Sequence, residues 1–94
     1  MLDLELLSDK AQAYFDDYVV NGSDDELFAS GYLRGHVDLI IGSAIVKGES
    51  LELPTIIEQI TQSINKAIKQ GELEQSDVET VNTVFNNLIK ELTN

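Results

Sequence analysis

Apolar residues recur at steps of three and four positions through four segments of the chain, a spacing that places them on one face of an α-helix. Stop and start signals separate the segments, and no alternating run of apolar and polar residues is long enough for a strand. We therefore expect an all-α protein. The predicted helices run from about Leu2 to Val20, from Asp24 to about Lys47, from Pro54 to about Gln70, and from Asp77 to about Leu92.

Two segments have the pattern of a capping box, in which a serine and a glutamate three residues later cap each other's backbone amides. These are Ser23-Asp24-Asp25-Glu26 and Ser76-Asp77-Val78-Glu79. Glycines at Gly22, Gly48 and Gly71 are typical of helix ends. The short connections favour a four-helix antiparallel bundle formed by a single domain of residues 1–94. Loop length leaves open whether the bundle closes within one chain or across a homodimer.

The residues in the middle of each apolar stripe are the predicted core, because neighbouring helices enclose them. The set is Phe15, Leu33, Val37, Ile40, Ile60, Ile64, Phe85 and Leu88.

The second predicted helix is apolar on two sides. One arc contains Leu33 and Val37, and a second arc nearly opposite consists of Phe28, Tyr32, Leu39 and Val46. A helix that is apolar on two sides is expected to have neighbours on both, so we predict that this helix is central. Three glycines, Gly31, Gly35 and Gly42, lie beside the second arc.

Glycine within a helix costs ~1 kcal/mol relative to alanine, so this strip requires a structural reason. Close packing of another helix of the same chain is one reason. A self-association surface and a small-ligand pocket are the others.

The amino-acid composition excludes some kinds of site and disfavours some classes of partner. The 94 residues include no Cys and carry a net charge of −11, with eleven acidic and three basic residues among positions 1–53. No disulfide or thiolate site is therefore possible. The acidic charge disfavours nucleic acid and anionic membrane surfaces as partners and favours a protein partner with a basic surface. The acidic start lacks the basic region of a secretory signal, and no apolar run spans a bilayer, so we expect a cytoplasmic protein.

Catalytic chemistry has little support in this sequence. His36 could act with Tyr32, but Asp25 lies some 16 Å away along a helix at ~1.5 Å per residue, and no nucleophile motif is present. We expect His36 to be half-buried and hydrogen-bonded, or exposed. The acids lack the spacing of a calcium loop, and no glycine loop cradles a phosphate. We therefore predict no enzyme activity, catalytic site, cofactor or metal.

Arg34 is the single arginine, and Asp38 lies one helical turn after it. An ion pair between these two residues is the expectation from local spacing. The alternative is a pair with an acid on another helix or another chain.

A partner-binding surface is the remaining candidate site, because acidic residues surround the first interhelical turn and hot-spot residue types follow it. We accordingly predict a protein-interaction or regulatory module. The alternative is a small-ligand-binding domain with a pocket near Phe28, Tyr32 and His36. The candidate partner-binding residues are Asp16, Asp17, Asp24, Asp25, Phe28, Tyr32, Arg34 and His36.

The segment Ser23-Asp24-Asp25-Glu26-Leu27-Phe28-Ala29-Ser30-Gly31-Tyr32-Leu33-Arg34-Gly35-His36 resembles the signature stretch of the YfcL-like family, small proteins of gamma-proteobacteria. The region around Lys66-Ala67-Ile68 and Gly71-Glu72-Leu73 resembles it more loosely. The resemblance implies a bacterial cytoplasmic protein. It carries no activity, cofactor or binding residue over to this chain.

Overall fold

The computed structural model describes residues 2–93, and within that range the chain forms four α-helices and no strand. This confirms the all-α prediction. The helices are α1 (Leu4–Asn21), α2 (Asp24–Lys47), α3 (Leu53–Lys69) and α4 (Gln75–Thr93).

Local signals set most of the helix ends. The Asp3 side chain accepts a hydrogen bond from the Leu6 amide at 3.1 Å and caps α1. The predicted capping box at the start of α2 is present: the Glu26 amide donates to Ser23 Oγ at 3.2 Å, and the Ser23 amide donates to Glu26 Oε1 at 3.0 Å. Gly48 ends α2 in the left-handed conformation, with φ of 66°.

The predicted capping box at Ser76 is wrong. α4 begins two residues earlier than a cap at Ser76 predicts, at Gln75, and the Val78 amide donates to the Glu74 carbonyl at 3.0 Å. Ser76 therefore lies inside the first turn. An N-cap residue needs a non-helical backbone, and this position does not have one.

α2 is the central helix, as predicted: it packs against α1, α3 and α4, and α1 also packs against α4. α1 runs antiparallel to α2, since Asp16 contacts Arg34 whereas the earlier residue Gln12 contacts the later residue Asp38. α3 also runs antiparallel to α2: His36 contacts Ser63 within α3, whereas the earlier residue Tyr32 contacts Glu72, just beyond the C-terminal end of α3.

The core lies between α2 and its three neighbours. All of the predicted core residues except Ile40 are buried, with exposures from 0% to 7%. Ile40 is half-buried and packs against the core from the edge of the buried arc of α2.

Three of the four residues of the second apolar arc of α2 are exposed, and here the expectation of a covering helix is wrong; the fourth, Tyr32, is half-buried and packs against the core. Phe28 is 51% exposed, Leu39 64% and Val46 87%. The three neighbouring helices all pack on the side of α2 that carries Leu33 and Val37.

The glycine strip has no close neighbour among residues 2–93 either. A Cβ atom built on Gly31, Gly35 or Gly42 would meet no atom of these residues within 4 Å. The close approach of another helix of the same chain, expected from the sequence, is therefore wrong. Of the reasons given for the strip, self-association and ligand binding remain.

Candidate interaction surface

The outward-facing side of α2 forms a continuous uncharged strip. We call it the outer face; it consists of Phe28, Tyr32, Gly35, Leu39, Gly42 and Val46. α1 borders this strip on one flank and α3 on the other. This run of exposed apolar residues, on a chain with a net charge of −11, makes the outer face the candidate contact surface.

On the α3 flank, Phe28, Tyr32 and His36 form an aromatic ridge. The Phe28 and Tyr32 rings stack with centroids 6.3 Å apart, and the Tyr32 and His36 rings lie 4.9 Å apart. His36 Nδ1 lies 2.7 Å from Ser63 Oγ, and the Tyr32 hydroxyl donates to Glu72 Oε1 at 3.2 Å. Partial burial, with the Glu72 bond second, raises the pKa of Tyr32. One hydrogen bond thus joins the ridge to α3, through Ser63, and a second joins it to the segment after α3, through Glu72.

On the α1 flank, polar side chains link α1 to α2. An Arg34 guanidinium nitrogen lies 3.3 Å from Asp16 Oδ1, and Arg34 Nε donates to Gln12 Oε1 at 2.7 Å. The Gln12 amide in turn donates to Asp38 Oδ1 at 2.5 Å. The expected Arg34–Asp38 pair is therefore wrong, and the alternative of an acid on another helix is confirmed. These contacts hold the Arg34 side chain against α1, on the opposite flank of the outer face from His36.

The four candidate aspartates are exposed near the α1–α2 turn. Asp16 is engaged by Arg34, and Asp17 accepts a hydrogen bond from the Asn21 amide at 2.9 Å. Asp24 and Asp25 lie in the first turn of α2, where the helix dipole favours negative charge. Over residues 2–93, no three His, Asp or Glu side chains are grouped so that they could hold a metal ion.

The pocket expected near Phe28, Tyr32 and His36 takes a different form. A depression of about 270 Å³ is lined by Tyr32, Gly35, His36 and Leu39, so Phe28 does not contribute. Its place on the outer face makes it part of an exposed strip and not an enclosed cavity. Ligand pockets bury most of their ligand's surface, ~70–90%, which a strip of this shape does not do.

Sequence reasoning missed that Leu39 and Val46 belong to the exposed surface. The sequence does contain a pattern that could have shown this strip: apolar and glycine residues recur at helical spacing, and no charged residue shares their face of the helix between Phe28 and Val46. Periodicity shows that such a stripe exists, but it does not show whether another helix covers it.

The described helices include none that is long and apolar enough to cross a membrane. Residues 5–90 match the family described as YfcL protein. The chain is 40% identical over 79 residues to an Escherichia coli (strain K12) protein named "Uncharacterized protein YfcL", covering 84% of this chain and 85% of that relative. No solved structure matches it. The resemblance seen in the segment Ser23–His36 is thus confirmed over most of the sequence, and the chain belongs to the YfcL family.

Proposed function

We propose that this protein is a non-enzymatic protein-interaction module of the bacterial cytoplasm, and that it binds a helix of its partner through the outer face of α2. The observation that carries the proposal is the exposure of Phe28, Leu39 and Val46 along one uncharged strip. Burying exposed apolar area contributes roughly 25 cal/mol per Å², so covering this strip would be favourable.

The shape of the outer face supports a helical occupant. The strip is long and narrow, and its glycines leave low points between the larger side chains. Helices commonly bind such surfaces by inserting side chains spaced three and four residues apart. The acidic residues of the α1–α2 turn add a charge preference at that end, where a partner with basic groups fits best.

The test is affinity capture with purified protein as bait, comparing the native chain with Leu39→Lys and Leu6→Lys. Leu39 and Leu6 have similar exposures, 64% and 58%, but Leu6 lies on α1, away from the outer face. Both substitutions add the same charge and remove the same apolar side chain. Circular dichroism of both variants establishes that they remain folded.

We expect the native chain and Leu6→Lys to retain the same partner and Leu39→Lys to lose it. Equal retention by all three baits, or no specific partner for any of them including a second copy of the chain, would contradict the proposal.

A further inference from the structure

We infer that the partner of the outer face is a second copy of this chain, and that the two α2 helices pack antiparallel about a two-fold axis that crosses the outer face midway between Gly35 and Leu39. The inference rests on the proposed function and names its partner. Two-fold dimers use the same surface patch on both copies, so the patch must be complementary to itself.

The spacing along the outer face is that of a helix–helix seam. Its residues follow one another at steps of four, three, four, three and four positions. This is the alternation with which two helices interlock side chains in a coiled-coil-like contact. The seam extends over roughly 27 Å of α2 at about 1.5 Å per residue.

The sizes of the seam residues fit an antiparallel pair of identical helices. With the axis midway between Gly35 and Leu39, both glycines face large side chains of the second copy, and the two outermost positions pair two large ones. The facing pairs are Phe28 with Val46, Tyr32 with Gly42, and Gly35 with Leu39. A parallel pair would instead set each glycine against itself, between positions where Tyr32 faces Tyr32 and Leu39 faces Leu39. Large pairs on both sides would hold the helices apart at each glycine and leave a void there, which is destabilising, so the antiparallel arrangement is favoured.

Charge favours the same arrangement. The seam contains no charged residue, although each copy carries a net charge of −11, so it is a surface over which two copies can meet without burying a charge. The Asp38 carboxylate, beside the seam, is bonded to Gln12 on the α1 side. Antiparallel packing brings the exposed Lys47 of one copy to the end where the second copy has Asp24 and Asp25. The two helix dipoles also oppose each other.

The size of the seam predicts a weak, reversible dimer. A strip about 27 Å long and about 10 Å wide presents roughly 300 Å² per copy. Stable interfaces bury at least ~1,200 Å² in total, about twice what two such strips provide. Dimers should therefore accumulate only as the protein concentration rises.

Cysteine cross-linking tests both the surface and the orientation, since the native chain has no Cys to interfere. Phe28→Cys and Val46→Cys are prepared separately and oxidised alone and as a mixture. In the antiparallel dimer, the two copies of either position lie roughly 27 Å apart, whereas position 28 of one copy faces position 46 of the other. A disulfide requires Cα atoms within ~7 Å.

We expect covalent dimers in the mixture and not in either variant alone. Dimers from each variant alone would show a parallel pair, and absence of dimers in all three samples would show that the strips do not meet; either result would overturn the inference.

Sedimentation equilibrium of the native chain supplies the second measurement. Leu39→Lys should weaken dimerisation about tenfold or more, because it places a charge in the seam, whereas Leu6→Lys should not weaken it. Raising the salt concentration should strengthen the dimer by screening the repulsion between two acidic copies. A native chain that stays monomeric at every concentration, or equal effects of the two variants, would overturn the inference.

The two proposals fail separately. If the chain is monomeric but captures another protein in a manner that depends on Leu39, the homodimer is wrong and the interaction module stands. If neither self-association nor Leu39-dependent capture occurs, both are wrong.

Discussion

The guanidinium of Arg34 on α2 lies 3.3 Å from the carboxylate of Asp16 on α1. Its Nε donates to Gln12 on the same neighbouring helix, and its central carbon lies 6.0 Å from the centroid of the Phe15 ring. Three contacts from α1 therefore direct the side chain across the helix–helix boundary. Asp38, one turn further along α2, is bonded to Gln12 instead.

The ion pair gives the first prediction. Asp16→Asn should lower the free energy of unfolding by ~0.2–1 kcal/mol, because the pair is solvent-exposed on the Asp16 side, and the loss should shrink at high salt. A double-mutant cycle with Arg34→Gln, measured by urea unfolding, should give a coupling of that size. The matched cycle of Asp38→Asn with Arg34→Gln should give a smaller coupling. The reverse order would show that Arg34 pairs within α2 in solution.

Tyr14 gives the second prediction, because its hydroxyl joins α1 to α4. It donates to the Val84 carbonyl at 2.8 Å and lies 3.0 Å from the Tyr18 hydroxyl. Tyr14→Phe should lower the free energy of unfolding by ~0.5–1.5 kcal/mol. Tyr18→Phe is the control: it removes the contact between the two hydroxyls and leaves the bond to α4, so its loss should be smaller. Equal losses would contradict a role for the Val84 bond.

The third prediction concerns alkaline pH. Burial first, and the hydrogen bond with Tyr18 second, raise the pKa of Tyr14 above its ordinary value of 10.0. The folded chain therefore holds the phenol proton more tightly than the unfolded chain does. This stabilising contribution is complete below about pH 10 and is lost as the pH rises above that value.

The measurement is urea unfolding of the native chain and Tyr14→Phe at about pH 9 and about pH 11. Other titrating groups are common to both proteins, so their effects cancel in the comparison. We expect the native chain to lose its advantage over Tyr14→Phe at the higher pH. An advantage that stays constant or grows would show that Tyr14 titrates normally in the folded protein.

Both ends of α2 could be predicted because the sequence features that define them are local. The capping box at Ser23 and Glu26 and the left-handed turn at Gly48 depend on residues within one turn. The start of α4 was misplaced because Glu74 and Ser76 are both able to precede a helix, and local pattern does not decide between neighbours. The Arg34 partner was missed because Asp16 is distant in sequence and becomes close only through packing of α1 on α2.

The candidate site was predicted in part. Phe28, Tyr32 and His36 could be named together because they follow each other one helical turn apart, and their rings do lie next to one another. The exposure of Leu39 and Val46 could not be predicted. An apolar arc has the same sequence pattern whether it contacts a neighbouring helix or solvent. Only the number and placement of neighbours around α2 decide that.

A core substitution gives the fourth prediction. Ile64 on α3 is 2% exposed, so Ile64→Ala should lower the free energy of unfolding by ~2–5 kcal/mol through lost burial and the cavity left behind. Val20→Ala is the matched control, because Val20 is 80% exposed and its truncation should change stability by no more than ~0.5 kcal/mol. A loss under ~1 kcal/mol at Ile64, measured by urea unfolding, would show that α3 presents a different face to α2.

The glycines of α2 give the last prediction, which concerns the stability of the isolated chain in dilute solution. A Cβ atom on Gly35 or Gly42 would meet nothing within 4 Å in the part of the chain that the structure describes. Gly35→Ala and Gly42→Ala should therefore each raise the free energy of unfolding of the dilute protein by up to ~1 kcal/mol. Gly48→Ala, at the C-terminal end of α2, is the control. Its φ of 66° is a backbone conformation that strains any residue with a side chain, so stability should fall by ~1 kcal/mol or more. Loss of stability on Gly35→Ala at high dilution would mean that a segment of the chain itself packs over the outer face. A gain shows that the helix carries these glycines at a cost to its own stability, as expected where a second helix must approach closely.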